Sequence, residues 1–240
     1  MEERVLAPNE GKELDIATPD GIYLRYPLKT HVVMKEDNLE ALLDRYVKAH
    51  IQPEDMLFIS EKIVAITQGR AFDIDTIKVS RLAKFLCKFV YKSPYGIGLG
   101  SPWTMQLAIE DIGIPKIFLA AFCSAVTKPF GMRGVFYNIV GDKGRAIDGP
   151  CDYTLPPYNH YAKLAPKNPD AVAARLRDHL GGNAVVVIDA NDIGREVLGR
   201  SDPSISIALC KQIFADNPLG QKSECTPLCL VRRAADVVEV

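Results

Sequence analysis

The run Ala184-Val185-Val186-Val187-Ile188 constrains this chain more than any other stretch. It is unbroken and β-branched, which predicts a strand buried on both faces rather than one with a wet side. The run stops at Asp189, and Asn191, Asp192, Gly194 and Arg195 follow. Carboxylates at the mouth of a buried strand need a cation, backbone N–H groups or water opposite them. A divalent metal carrying a nucleotide phosphate meets that need. A turn in which Asp and Asn bond their own backbone meets it equally well.

At 240 residues the chain is long enough for one large domain or two modest ones sharing an interface. The 29 Lys+Arg against 30 Asp+Glu leave a formal net charge of −1, without the basic excess of a duplex nucleic-acid binder. No apolar run approaches the roughly 18 residues of a membrane helix. Residues 1–20 are acidic and lack an apolar h-region, so no signal peptide is expected and the expected compartment is the cytoplasm. The six cysteines show no paired zinc spacing and read as small buried thiols in a reducing compartment. Cys225 and Cys229 fall in an expected strand, where such a step spans about 13 Å, too far for a disulfide.

Along the chain, Ile22 to Met34 predicts one or two strands broken at Pro27, decorated by Arg25, Lys29 and His31, which suit either an anion or an exposed strand face. Asn38 predicts an N-cap for a helix burying Leu39, Leu42, Leu43, Tyr46 and Val47. Met56 to Ser60, extending toward Ile66, reads as a core strand closed by Gln68-Gly69-Arg70. There Lys62 and Arg70 suit a phosphate or carboxylate contact, and a surface hairpin with two solvated cations looks the same. An amphipathic helix is expected between Thr76 and Tyr91. Gly96, Gly98 and Gly100 run into Ser101-Pro102, which announces a helix to about Asp111; the loop is either a ligand contact or a connector, and Trp103 covers a ligand or anchors the helix. Ile117 to Val126 and Gly134 to Val140 read as two strands. Asp148 stands in a turn beside Gly149-Pro150, and Thr154-Leu155-Pro156-Pro157 reads as extended and stiff. Helices are expected from Asn168-Pro169 to about Leu180 and from Asp202-Pro203 to about Phe214, with a last strand from Thr226 to Arg232.

Taken together, these patches resemble the coenzyme F420-0:L-glutamate ligase (F420 gamma-glutamyl ligase) family over roughly Tyr26 to Arg232. Lys62-Ile63-Val64 through Gly69-Arg70 is similar to the family's lysine-valine-valine-serine-lysine-alanine-glutamate-glycine-arginine segment. Ala146-Ile147-Asp148 is similar to its glycine-isoleucine-aspartate metal site, and Leu155-Pro156-Pro157 to a step that follows it. Val187-Ile188-Asp189-Ala190-Asn191 with Gly194-Arg195 resembles its aspartate-threonine-asparagine-glycine-arginine segment, and Glu224 to Arg232 its closing segment. The chain departs from the pattern at Ala65, Ile66 and Gln68, at Ala190, and by the additional Asp192-Ile193.

The resemblance implies an α+β fold of mixed sheets and packed helices in two intimately associated lobes, one family domain over 1–240, and a homodimer. It implies a ligase that phosphorylates a small carboxylate such as coenzyme F420-0 with GTP, or ATP, and lets the amine of L-glutamate attack the acyl phosphate. On this reading Asp148 and Asp189 hold Mg²⁺ or Mn²⁺, with K⁺ as a further cation. Gly69, Asn191, Asp192 and Gly194 contact the nucleotide, and Arg70, Lys62 and Arg195 act as catalytic cationic clamps. No nucleic acid or membrane partner is implied. The alternatives are a relative that binds nucleotide and metal without turnover, a ligase for another carboxylate and amino acid, and a phosphotransferase that never forms the amide.

Overall fold

The computed structural model describes residues 6–90, 98–132, 134–152, 154–191, 194–221 and 223–234. The chain divides into two compact units, Met1–Gln68 with Pro166–Val240, and Gly69–Ala165. The first unit opens with β1 (Asp15–Thr18), β2 (Gly21–Leu28), α1 (Leu39–Tyr46), β3 (Met56–Ser60) and α2 (Glu61–Thr67). The second holds β4 (Ala71–Asp73), α3 (Arg81–Leu86), α4 (Pro102–Ile112), α5 (Ile114–Thr127), α6 (Val135–Val140), α7 (Asp142–Arg145) and β5 (Tyr161–Lys163). The chain returns to the first unit for α8 (Pro169–His179), β6 (Val185–Ala190), β7 (Arg195–Arg200), α9 (Ile207–Ile213) and β8 (Leu228–Arg233). The architecture is the α+β one expected.

The first unit is built on a mixed six-stranded sheet in the order β1-β2-β8-β3-β6-β7. Strands β3 and β6 run parallel, Leu57 opposite Val185 and Ser60 opposite Ile188, while the other neighbours are antiparallel. Val185 to Ile188 are wholly buried, as are Leu57 to Ile59, so the apolar run does form an interior strand of the sheet, between β3 and β7 and covered on both faces. Phe58, Val186 and Ile188 join Ile213 and Phe214 in one cluster, the rings of Phe58 and Phe214 stacked at 4.4 Å. Helices α2 and α8 also pack against β6. The second unit is mainly helical around Met105, Ala108, Ile117, Ala120 and Phe136, with β4 and β5 as a small antiparallel ribbon.

The helix signals hold where a cap marks them. Asn38 Oδ1 accepts from Ala41 N at 3.0 Å and Ser101 Oγ from Thr104 N at 3.1 Å, with Pro102 in the first turn of α4. Trp103 is half-buried against the core of the second unit and serves as an anchor.

Several expectations are corrected. The strand from Met56 ends at Ser60, whose Oγ accepts from Lys62 N at 3.3 Å, and Glu61–Thr67 is helical with Ile63, Val64, Ala65 and Ile66 buried. Ile117–Val126 and Gly134–Val140 lie in helices α5 and α6, not strands. An apolar run does not distinguish a buried helix from a buried strand, and the punctuation that decides it here is Gly113 at φ +98° followed by Pro115, which ends α4 and restarts a helix. The helix expected over Thr76 to Tyr91 shortens to Arg81–Leu86 with one 3₁₀ turn beyond, and Tyr91 lies outside the described residues. Strand β2 runs through Pro27 unbroken, because β1 pairs only as far as Leu24 and asks no N–H of the proline. Pro156-Pro157 is a cis peptide in a turn rather than an extended segment. Helix α9 begins at Ile207 behind a Ser206 cap, since Asp202 is spent on a turn with Ser204 N at 2.8 Å. Strand β8 begins at Leu228, so Cys225 precedes it; both cysteines are free thiols.

Candidate functional site

Because β3 and β6 are parallel neighbours, their carboxyl ends coincide, and polar residues leave the sheet there side by side. From β3 come Ser60, the buried Glu61 and the exposed Lys62 in the first turn of α2. From β6 comes Asp189, half-buried and opposite Glu196 of β7, with Ala190 opposite Arg195. Open sheets bind ligands outside the carboxyl ends of their parallel strands. Asn191 closes the β6–β7 hairpin: its N donates to Gly194 O at 2.9 Å and its Oδ1 accepts from Gly194 N at 2.9 Å. Arg195 Nη1 donates to Ala215 O at 2.9 Å. The fold thus gathers Asp189, Asn191, Gly194 and Arg195 on one hairpin and brings Lys62 to the adjoining strand end. Asp192 lies outside the described residues.

In the second unit Asp148 is held by a two-way backbone bridge to Lys163, N to O at 3.0 and 2.8 Å. Its half-exposed carboxylate lies 3.5 Å from the Lys163 ammonium, which is itself buried and donates to Ala146 O at 3.4 Å. Sequence reading did not single out Lys163; its only local signal was a cation between apolar residues of a short strand.

Arg70 is placed differently from expectation. It is buried within the second unit, with Nη2 2.9 Å from Asp111 and Nε donating to Ala165 O. Those partners take two of the three guanidinium nitrogens and tie Arg70 to the interior of the second unit. Gly69, at φ +67°, provides the left-handed turn between α2 and Arg70. Gln68 makes a paired amide contact, Nε2 to Lys167 O at 2.9 Å and Lys167 N to its Oε1 at 2.7 Å.

The other candidate anion contacts do not form such a site. Arg25 is buried and bonds Glu13 O at 2.8 Å, Ile213 O at 3.1 Å and the Asp216 carboxylate. His31 Nε2 lies 3.0 Å from Asp37 and its Nδ1 2.8 Å from the Tyr46 hydroxyl. Gly98, at φ +44°, lies so close to Tyr137 that a Cβ there would meet its hydroxyl at 2.7 Å, while Gly96 is outside the described residues. One cavity of about 450 Å³ lies elsewhere in the first unit, lined by Asn9, Lys29, Tyr46, His50 and Glu224 among others, and holds none of the expected site residues. Among the described residues Asp73, Asp75 and His160 present ligand atoms within 4.8 Å of one another. Asp73 there caps a 3₁₀ turn through Asp75 N at 3.0 Å, and His160 pairs with Asp75 at 3.2 Å.

The family model for F420-0:Gamma-glutamyl ligase matches residues 27–227. The chain belongs to that family. No curated protein matches the sequence. Membership in the F420-0:gamma-glutamyl ligase family carries a ligase-type function, and the matched span includes both half-buried aspartates and the carboxyl ends of β3 and β6. A hard divalent cation takes carboxylate oxygens together with water and phosphate. Asp148 and Asp189 are each a suitable oxygen donor, although a cation at Asp148 must share its carboxylate with the Lys163 ammonium. Among the described residues no helix is long and apolar enough to cross a membrane.

Proposed function

We propose that this protein is a nucleotide- and divalent-metal-dependent ligase that joins L-glutamate to a small carboxylate such as coenzyme F420-0 by a gamma-glutamyl-type amide bond. The observation that carries the reading is Asp189. It stands within the family-matched span where β6 leaves the sheet, beside the Lys62 end of β3.

A carboxylate is a poor acyl donor, so the reaction runs in two steps. The carboxylate oxygen takes the γ-phosphoryl group of GTP, or of ATP, giving an acyl phosphate and the nucleoside diphosphate. The amine nitrogen of glutamate then bonds the acyl carbon, inorganic phosphate leaves with the C–O electron pair, and the nitrogen gives up a proton. Phosphoryl transfer asks the protein chiefly for positioning and for neutralisation of phosphate charge. Asp189 in the first unit and Asp148 in the second are each a carboxylate that would hold a divalent cation, Mg²⁺ or Mn²⁺, and such a cation when bound would offset that charge. Lys62 carries an exposed ammonium toward the anion, and Arg195 holds the hairpin through Ala215 while presenting its remaining N–H groups. Asn191 and Gly194 shape the backbone around Asp189.

Incubation with GTP, Mn²⁺ or Mg²⁺, L-glutamate and F420-0, read by mass spectrometry, should give the glutamyl adduct together with GDP and phosphate. Asp189→Asn and Asp148→Asn should abolish it. Metal and nucleotide together, at about 100 times the dissociation constant, add about 2.7 kcal/mol and should raise the unfolding midpoint by roughly 5–10 °C in the native protein only. No adduct, no GDP and no shift with any metal–nucleotide pair would overturn the reading.

A specific observation also favours a different acceptor carboxylate. Ala65 and Ile66, at positions where the family pattern has serine and lysine, are buried on the inner face of α2, and Gln68, in place of glutamate, is tied to Lys167. The side chains offered to an acceptor from this segment are therefore not those of the family pattern. GDP release with a carboxylate other than F420-0, and none with F420-0, would select this second reading.

A further inference from the structure

The Lys163 side chain is only 9% exposed, yet it ends in an ammonium. Burying that group costs far more than burying its alkyl stem unless an anion faces it. Lys163 stands opposite Ala71 of β4 on one side and Asp148 on the other, and with Asp148 it exchanges both backbone N–H···O bonds. Directly opposed residues of an antiparallel pair put their side chains on one face. The register alone therefore sets the ammonium beside the Asp148 carboxylate, 3.5 Å away. A one-residue slip would carry the buried Ile147, Ala162 and Leu164 out of the core.

The two members of the pair differ in access. The Asp148 side chain is 48% exposed, so a dissolved cation can reach its carboxylate while the ammonium stays behind it. A free divalent cation there would share the carboxylate with a like charge, one anchored by Ala146 O at 3.4 Å. Polyphosphate reverses that balance, because its negative oxygens offset both cations at once.

We propose that Lys163 is a positioning residue that makes divalent-cation binding at Asp148 conditional on nucleotide. Without nucleotide the ammonium neutralises the carboxylate, and free Mg²⁺ or Mn²⁺ binds there weakly. With nucleotide the phosphate oxygens compensate the ammonium, and the cation takes its share of the carboxylate without that opposition. Such coupling is reciprocal, so the cation strengthens nucleotide binding by the same factor. The inference rests on the metal reading of Asp148 given above and goes beyond it, since the residue that couples the two ligands is Lys163.

The test is Mn²⁺ titration of the full chain, with free Mn²⁺ read by its electron paramagnetic resonance signal, without nucleotide and with saturating GDP, each against a protein-free blank. Lys163→Met keeps the buried stem and removes the charge. It takes away the buried member of the pair and leaves the half-exposed one, so it should fold with unchanged far-ultraviolet dichroism. Without GDP it should bind Mn²⁺ about tenfold more tightly than the wild type, within the ordinary range of such coupling. Adding Asp148→Asn to it should remove that gain, and saturating GDP should close the gap between variant and wild type. Lys163→Arg, which keeps the charge, should respond as the wild type does. A Lys163→Met protein that binds Mn²⁺ no more tightly than the wild type, or whose gain survives Asp148→Asn, would overturn the proposal. If Asp148→Asn alone leaves Mn²⁺ binding with GDP untouched, the metal reading of Asp148 falls too. If it weakens that binding while Lys163→Met changes nothing, only the role given to Lys163 falls.

Discussion

Replacing Asp111 with alanine should destabilise the protein by about 3–5 kcal/mol, because it strands the Arg70 guanidinium in the interior of the second unit. The two groups are 2.9 Å apart with side chains 8% and 13% exposed. At that separation, and an effective dielectric of about 20, their attraction is roughly 4–6 kcal/mol. The remaining contact, from Arg70 Nε to Ala165 O, does not replace a carboxylate. Slight exposure on the Asp111 side lets some water return, which favours the lower part of the range. For a chain of this length the midpoint of thermal unfolding should fall by about 6–20 °C. Replacing both partners with apolar residues, Arg70→Met with Asp111→Leu, removes the buried charges together and should restore most of the loss. That double variant should still form product in the ligation assay. An Asp111→Ala midpoint within about 2 °C of wild type would refute the buried-pair reasoning. A double variant that is stable but has lost turnover would return Arg70 to the role of a clamp.

Three further outcomes follow from the packing and the ionisable groups. A Cβ at Gly199 would lie 2.4 Å from Pro169 C and 2.7 Å from Asp170 N, both backbone, so Gly199→Ala should cost at least the usual 1–3 kcal/mol or so of overpacking; an unchanged urea midpoint would deny the close approach of α8 to β7. Cys87, Cys210 and Cys229 are buried, and burial pushes the Cys210 thiol up to about 11 and raises Cys229 as well, so a thiol reagent at mildly alkaline pH should label only Cys123, Cys151 and Cys225 until the chain is unfolded. For Asp37, burial works upward, but the bond from Met34 N at 2.7 Å and the His31 imidazole together hold the carboxyl below its ordinary 3.8. A carboxyl depressed in the folded state contributes stability above its unfolded value and loses it as pH falls through the folded one. The deficit of Asp37→Asn should therefore be constant near neutrality and shrink below about pH 4, and a deficit undiminished in acid would refute it.

What the sequence made legible was local or repeated. Val185 to Ile188 could be read as a doubly buried strand because β-branching, length and abrupt polar boundaries agreed. The helices behind Asn38 and Ser101 announced themselves by side-chain caps, and those that open at Pro102 and Pro169 by first-turn prolines. Where caps were ambiguous the reading failed. Ser60 stops β3 by capping α2, yet the apolar Ile63 to Ile66 beyond it looks like more strand. Helix α5 misled for a related reason: an outer face left apolar erases the helical period that would have marked it.

The same division runs through the candidate site. Asp189, Asn191, Gly194 and Arg195 were legible because one hairpin carries them and short spacing is conserved by any turn that closes it. Arg70 was not, since its partner is Asp111 and its backbone acceptor Ala165, both remote in sequence and without a pattern that points to them. Gln68 shows how such remote contacts bear on function. Its amide is committed in both directions to the Lys167 backbone, a contact in which one end donates and the other accepts. A glutamate carboxylate could accept from Lys167 N but could not donate to Lys167 O. The glutamine therefore fits the clasp where the acid would leave a carbonyl unmatched, so the departure has a structural use of its own. The Lys62 and Asp189 strand ends, which the clasp leaves untouched, are where substitutions should separate binding from turnover.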